Sequence, residues 1–241
     1  MKISEVTRKV IILIDYRDQF WLKSDYKEAN FNVPLLKQEF ENLGYDSSIM
    51  NFNQLDFKDG DYINTFIIYQ SSEDPDHLYN SYIEDCLLAL ELKGAVLMPK
   101  YQYFRAHDNK VFMEMLRDLN PITNLMQPHS KHYGTYEEFK LKVDLKNLEP
   151  KVFKLYSGAQ SKHVFLLKSE SNYRKIPYKY SRSFNFYYWL VDKVKPFLKS
   201  KYPNYRKKSH NRKKFILQDF ISELDGDFKL LIYGNKYFVL S

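Results

Sequence analysis

Cysteine is almost absent from this 241-residue chain: Cys86 stands alone, inside an apolar helical pattern. A single thiol excludes an intramolecular disulfide framework, and a reducing compartment, the cytoplasm, fits. The usual burial of lone thiols assigns Cys86 to the core rather than to nucleophilic chemistry. Glycine is scarce at 7 residues, and neither GxGxxG nor GxxxxGK[ST] occurs. The dinucleotide fingerprint and the P-loop are thereby removed. No GxSxG elbow is present, so a Ser–His–Asp triad is not arguable. No apolar run approaches the roughly 18 residues of a membrane span. The N-terminal apolar stretch, Val10 to Ile14, is too short for a signal peptide.

Acid is missing from one place in particular. Residues 193–214, KVKPFLKSKYPNYRKKSHNRKK, carry ten Lys or Arg and no Asp or Glu, within a chain of net charge +7. The remainder is slightly acidic. A basic segment with interleaved Tyr suits nucleic acid, a polyphosphate or an acidic substrate, and it equally suits a solvated loop. Aromatics are abundant, with 21 Tyr and 18 Phe, which argues against disorder.

The first hundred residues alternate. KVIILIDY (9–16) has the pattern of a buried strand. Residues 32–43 predict a helix, with Asn32 as cap, Pro34 in the first turn and Gly44 at its end. Leu36, Phe40 and Leu43 then share a face. SSIMNF (47–52) and INTFIIYQ (63–70) are strand-like. Asp74-Pro75 opens a second helix, with Ile83, Leu87 and Leu90 on one face and Gly94 closing it, and AVLMP (95–99) is another strand. Strand–helix–strand–strand–helix–strand predicts a parallel α/β layer. The polar tips after these strands (Asp15, Gln19, and Gln70 to Glu73) are where open parallel sheets face their substrates.

A third helix is expected over DNKVFMEMLRDL (108–119), capped by Asp108, with Phe112, Met115 and Leu119 on its apolar side. A helix is also expected near TYEEFKLKVDL. KVFKLY (151–156) and HVFLLK (163–168) read as strands joined by SGAQSK. An aromatic helix, FNFYYWLVDKVKPFL (184–198), precedes the basic segment. The chain closes with FILQDFISELDGDFKLLIYGNKYFVLS, read as three strands with turns at Asp225-Gly226 and Gly234-Asn235.

Three places are candidates for chemistry. Lys154 sits in a strand with Val152 and Tyr156 on its own face, where an ammonium must reach solvent or meet an anion. The small-residue loop after it (Ser157, Gly158, Ala159, Gln160, Ser161) offers backbone N–H groups to a phosphate. A tight hairpin with an edge lysine accounts for the same residues. Lys110 begins a helix, where a cation opposes the helix dipole. Gln218, Asp219, Phe220 and Ile221 lie where a strand runs out. There, alternating N–H and C=O groups suit an adenine edge. Asp227 suits ribose hydroxyls, and Lys229 shares its face. An ordinary hairpin with a surface ion pair explains that stretch too. His129 and His132, with Glu137 and Glu138 nearby, invite a metal reading. The HxxH lies on a polar, Pro-containing stretch without the helix that would align both rings, so no metal site is assigned.

Taken in order, these features resemble the ATP-grasp superfamily, which includes D-alanine–D-alanine ligase and many carboxylate–amine ligases. The resemblance implies an α/β (α+β) chain. A Rossmann-like pre-ATP-grasp domain would span 1–103 and a central ATP-grasp subdomain 104–214. The hinge and first strands of a C-terminal subdomain would occupy 215–241. It implies that Lys110 and Lys154 touch the ATP phosphates and that the loop from Ser157 and Gly158 through Ser161 closes over them. It implies further that Gln218, Asp219, Phe220 and Ile221 hold adenine, that Asp227 binds ribose, and that Lys229 stands where arginine is frequent. The loop has one glycine where many members have several.

The family's magnesium ligands, an acid on a later strand and a Glu-x-Asn pair, have no counterpart before Ser241. Magnesium is therefore expected only with further sequence, and the chain reads as truncated. The implied reaction activates a small-molecule carboxylate as an acyl phosphate for attack by an amine or thiol, with a loose link to cell-surface polysaccharide metabolism. The alternatives are a nucleic-acid-binding protein using residues 193–214 and a non-catalytic nucleotide sensor.

Overall fold

The computed structural model describes residues 8–20, 31–72, 74, 77–119, 128–158, 163–195, 197–198, 208–223, 226 and 228–240. It divides into two compact units, Met1–His107 and Asp108–Ser241. Both are mixtures of helix and sheet, so the chain is of the α/β (α+β) class.

The first unit is built on β1 (Lys9–Ile14), α1 (Val33–Asn42), β2 (Asp46–Asn51), β3 (Phe66–Ile68), α2 (Leu78–Leu92), β4 (Val96–Met98) and α3 (Tyr101–Ala106). Its strands pair in the order β2-β1-β3-β4, and every pairing is parallel. A parallel sheet of this kind is buried on both faces. Ile11 and Leu13 of β1 join one apolar cluster with Ile83, Leu87 and Leu90 of α2. Val10, Ile12 and Ile14 join another, against Leu36 and Phe40 of α1. That is why KVIILI has no polar alternation.

Asn32 caps α1 by accepting from Leu35 N. Leu43, expected on the apolar face of α1, is the residue after its end and is 72% exposed. Gly44 and Gly94 follow the two main helices in the left-handed conformation, where a Cβ is unfavourable. Asp74 accepts from Tyr79 N and Asn80 N at the start of α2. Cys86 is buried in the cluster under α2, and burial pushes its thiol up from the ordinary range.

The second unit holds α4 (Lys110–Leu119), β5 (Ser130–Tyr133), α5 (Tyr136–Lys142), β6 (Lys151–Leu155), β7 (Val164–Leu167), α6 (Glu170–Tyr180), α7 (Phe186–Val194), β8 (Phe215–Asp219), β9 (Lys229–Tyr233) and β10 (Lys236–Leu240). Four strands form an antiparallel sheet, β5-β8-β6-β7. The terminal pair β9-β10 is a separate antiparallel ribbon. Strand β8 lies mid-sheet, with β5 on one side and β6 on the other.

Strand period two divides the four-stranded sheet sharply. Tyr133, Phe153, Leu155, Leu167, Phe215 and Leu217 form one face, packed with Phe139 of α5 and Tyr173 of α6. Phe153 and Phe215 have ring centroids 5.0 Å apart. The register places Ser130, His132, Ile216, Gln218, Val152, Lys154 and Val164 on the other face.

Three elements were not expected from sequence. Strand β5 is SKHY, with one apolar residue. Helix α3 is a short aromatic turn and a half. Helix α6 contains Pro177, which ordinarily signals an end.

Candidate functional site

Helix α4 was expected to be capped by Asp108. Asn109 does this instead, accepting from Phe112 N through Oδ1 at 3.2 Å. Asp108 has a positive φ of 53°, and its carboxylate accepts from Gly158 N at 3.4 Å. The start of α4 is thereby tied to the loop after β6. Lys110 N donates to Tyr156 O at 2.8 Å, and Lys110 Nζ donates to Gly158 O at 2.7 Å. Gly158 has a φ of 121°, a conformation closed to most side chains. The single glycine of the loop therefore stands where one is required.

The inward face of α4 also differs from expectation. Met115 is 37% exposed and Leu119 74% exposed, whereas Val111 and Glu114 are buried. The sequence pattern favoured the apolar side chains, but the sheet face beneath α4 is polar and draws a carboxylate inward. Glu114 Oε1 lies 3.4 Å from Gln218 Nε2, which also donates to Ser130 Oγ at 3.1 Å. Gln218 Oε1 accepts from Lys154 Nζ at 2.5 Å. Lys154 lies opposite Ile216 in the ladder, and Gln218 opposite Val152. The two side chains are diagonal neighbours on one face, a spacing that long side chains bridge.

Lys110 and Lys154 thus belong to one constellation. Burial pushes the Lys154 ammonium down from the ordinary lysine range, and the charge of Glu114 pulls it partly back. Burial also lowers Lys110; Asp108 opposes the shift, and the charge of Lys154 adds to it. Both ammonium groups are half-buried, and in each burial is the main cause of weaker proton binding.

The remaining residues fall differently. Asp219 projects to the opposite face, where its carboxylate meets Lys151 Nζ at 2.7 Å and its N–H donates to His129 O. Phe220 and Ile221 lie past the paired strand, 40% and 46% exposed. Ser157 and Gly158 begin the loop. Ser161 and Asp227 lie outside the described residues. Lys229 is exposed on the β9-β10 ribbon, which is not paired with the four-stranded sheet. Sequence reasoning missed Glu114 and Ser130. Glu114 carried one usable signal, its place one helical turn after Lys110.

No cluster of three His, Cys, Asp or Glu side chains is placed to hold a metal ion among the described residues. His129 and His132 are three apart on extended chain, which sends their rings to opposite sides. No described helix is long and apolar enough to cross a membrane.

No protein-family profile and no curated protein matches the sequence. Among solved structures there are remote likenesses. A RimK-domain ATP-grasp protein of Sphaerobacter thermophilus is 12% identical at TM-score 0.41, over 88% of this chain and 64% of that one. The N5-carboxyaminoimidazole ribonucleotide synthetase in its ADP complex is 13% identical at TM-score 0.43, over 93% of this chain and 48% of that one. The D-alanine–D-alanine ligase of Bacillus anthracis is 13% identical at TM-score 0.37, over 97% of this chain and 71% of that one. The chain spans under two thirds of the first two. At this level of likeness no residue's role is carried across, and the side chains are judged on their own geometry.

Proposed function

We propose that the second unit binds the phosphates of ATP on the open face of its sheet. We propose further that the chain takes part in ATP-dependent activation of a carboxylate for capture by an amine or thiol. One observation carries the reading. Lys110 and Lys154, from a helix start and a central strand, are half-buried together, and each is hydrogen-bonded to an amide oxygen rather than a carboxylate. Amide oxygens hold an ammonium in place without neutralising it, so both positive charges remain for a ligand.

In the proposed reaction a carboxylate oxygen attacks the γ-phosphorus, the bond to the ADP oxygen breaks, and an acyl phosphate forms. The amine or thiol then displaces phosphate at the carbonyl carbon. The two lysines would hold phosphate oxygens and offset the charge of the transferring group. Val152 and Val164, half-buried beside Lys154 on the same face, give an apolar floor for the nucleoside. Phe220 and Ile221 offer backbone past the strand end to a base edge. No group of three His, Cys, Asp or Glu side chains among the described residues is placed for a metal ion, and no step is assigned to one.

Thermal unfolding with ADP or ATP, with and without magnesium, tests this. Nucleotide at about a hundred times its dissociation constant adds ~2.7 kcal/mol, a rise of about 5–10 °C for a chain of this size. The rise is expected without magnesium and is lost in Lys110→Met/Lys154→Met. No rise with any nucleotide removes the proposal.

A second reading has its own observation. Arg182, Lys193 and Lys208 line a cavity of about 560 Å³ with Glu137, Trp189 and Tyr178, and two of these cations, Lys193 and Lys208, belong to the basic segment. Cations beside aromatic rings suit single-stranded nucleic acid. This reading expects affinity to fall with salt at a log–log slope of about −0.7 per phosphate neutralised. A salt-independent association would count against it.

A further inference from the structure

We infer that Glu114 is a positioning residue for Lys154: through Gln218 it fixes which end of the amide meets the ammonium, and it sets a carboxylate beside that pair. The inference rests on the nucleotide reading of Lys154 and deepens it.

Gln218 is buried, and a buried amide turned the wrong way would present its NH₂ to an ammonium. The carboxylate on the far side decides the matter, because a hydroxyl can donate or accept but a carboxylate only accepts. Glu114 Oε1 lies against Nε2, with Ser130 Oγ beside it, which leaves Oε1 toward Lys154. Glu114 itself is 6% exposed, and a carboxylate so placed is costly unless its charge is used. Arg117 Nη2 is 2.5 Å from Glu114 Oε2. Arg117 holds one oxygen, and the other faces Gln218.

Every described charge that faces Lys154 can be named. Helix α4 brings Lys110, Glu114 and Arg117, with Asp108 just ahead of it. Strand β5 brings His132 on the same face. Strand β8 contributes Ile216 and the neutral Gln218, and β7 contributes Val164. Glu114 is the charge that raises proton binding at Lys154, against burial. Without it the ammonium would lose its proton at lower pH and meet a phosphate less often in charged form.

The test uses the full chain labelled with ¹³C-lysine, with the Lys154 Cε signal assigned by its loss in Lys154→Arg. Glu114→Gln keeps shape and removes the charge. Its Lys154 midpoint is expected to fall by about half a pH unit or more, and ADP affinity measured above that midpoint to fall about threefold or more. Moving the carboxylate one link along, in Glu114→Gln/Gln218→Glu, is expected to restore the midpoint. A purely packing role for Glu114 would leave the Lys154 titration where it was, and an unchanged midpoint overturns the inference. Should Glu114→Gln fail to fold, Arg117→Gln replaces it. Releasing Glu114 from its partner is expected to raise the midpoint, and no movement overturns the inference equally. The titration is read without nucleotide, so a wild-type chain that ignores ADP would sink the nucleotide reading while leaving this arm decisive.

Discussion

Two lysines of strand β6, three residues apart, live under opposite rules. Lys151 lies on the core side of the sheet and is met by the carboxylates of Asp219 at 2.7 Å and Glu149 at 3.0 Å. The Asp219 hydrogen bond pushes its ammonium up from the ordinary range, burial opposing. Lys154 lies on the other side, meets an amide oxygen, and is pushed down by burial. Same residue type, same strand, opposite shifts: one cation is balanced within the fold and the other is held short of balance. A lysine whose charge serves the fold is given acids. On the proposed reading, a lysine whose charge serves a ligand would be given neutral acceptors.

The comparison can be broken in several ways, of decreasing size. Phe153, between the two lysines and fully buried, anchors the ring cluster of the core. Phe153→Ala is expected to cost about 3–5 kcal/mol, read as a lower urea midpoint for the second unit. Both lysine faces should fail with it. Lys154→Met is expected to weaken ADP binding about tenfold or more, as loss of a charge-assisted contact of ~1.5–3 kcal/mol. Stability of the ligand-free chain should hold or rise, because a half-buried charge is removed. Lys151→Met is the control: ADP affinity unchanged, and stability lower by at most ~1 kcal/mol, since the pair is partly exposed. If the two variants behave alike, the distinction between the faces is wrong.

Alkaline titration gives a finer version. Lys154 binds its proton less tightly in the folded chain than in the unfolded one. Between its folded value and the unfolded ~10.4, the unfolded chain holds more protons, so this lysine adds stability as pH rises. Lys151 does the reverse. Its contribution is complete below ~10.4 and is lost as pH climbs through its raised value. Stability from pH 8 to 11 should therefore steepen upward in Lys151→Met and downward in Lys154→Met, read from chemical denaturation at each pH.

The smallest effect is on the acid side. The Lys151 hydrogen bond holds the Asp219 carboxyl below the usual range. Its stabilisation is full above ~3.9 and fades as pH falls through the lowered value. Asp219→Asn should flatten that part of the acid-stability curve while leaving ADP affinity as it was.

Much of the first unit was legible because one physical signal dominates it. Strands buried on both faces read as apolar runs, and α1 and α2 carry caps, periodic apolar residues and terminal glycines. The four-stranded sheet of the second unit is harder. Its alternation mixes lysines and aromatics, β5 is nearly all polar, and α6 carries a proline inside it. Lys110 and Lys154 were found as residues that violate local rules, a cation at a helix start and a cation inside a strand. Glu114 violated none. It reads as an ordinary helix-surface acid until α4 is laid on the sheet, because its burial is imposed by a strand about a hundred residues away. The pairing of Asp219 with Lys151 was hidden for the converse reason, since its partner on β6 is visible only once the register is fixed.

The tie between Lys110 and the Gly158 carbonyl has a further consequence. An ammonium carries three N–H donors, and the carbonyl takes one of them. An anion arriving at Lys110 would therefore be added to the tie rather than exchanged for it. One cation would then hold the loop and the ligand together, so the first sign of occupancy would be a local loss of motion at Gly158.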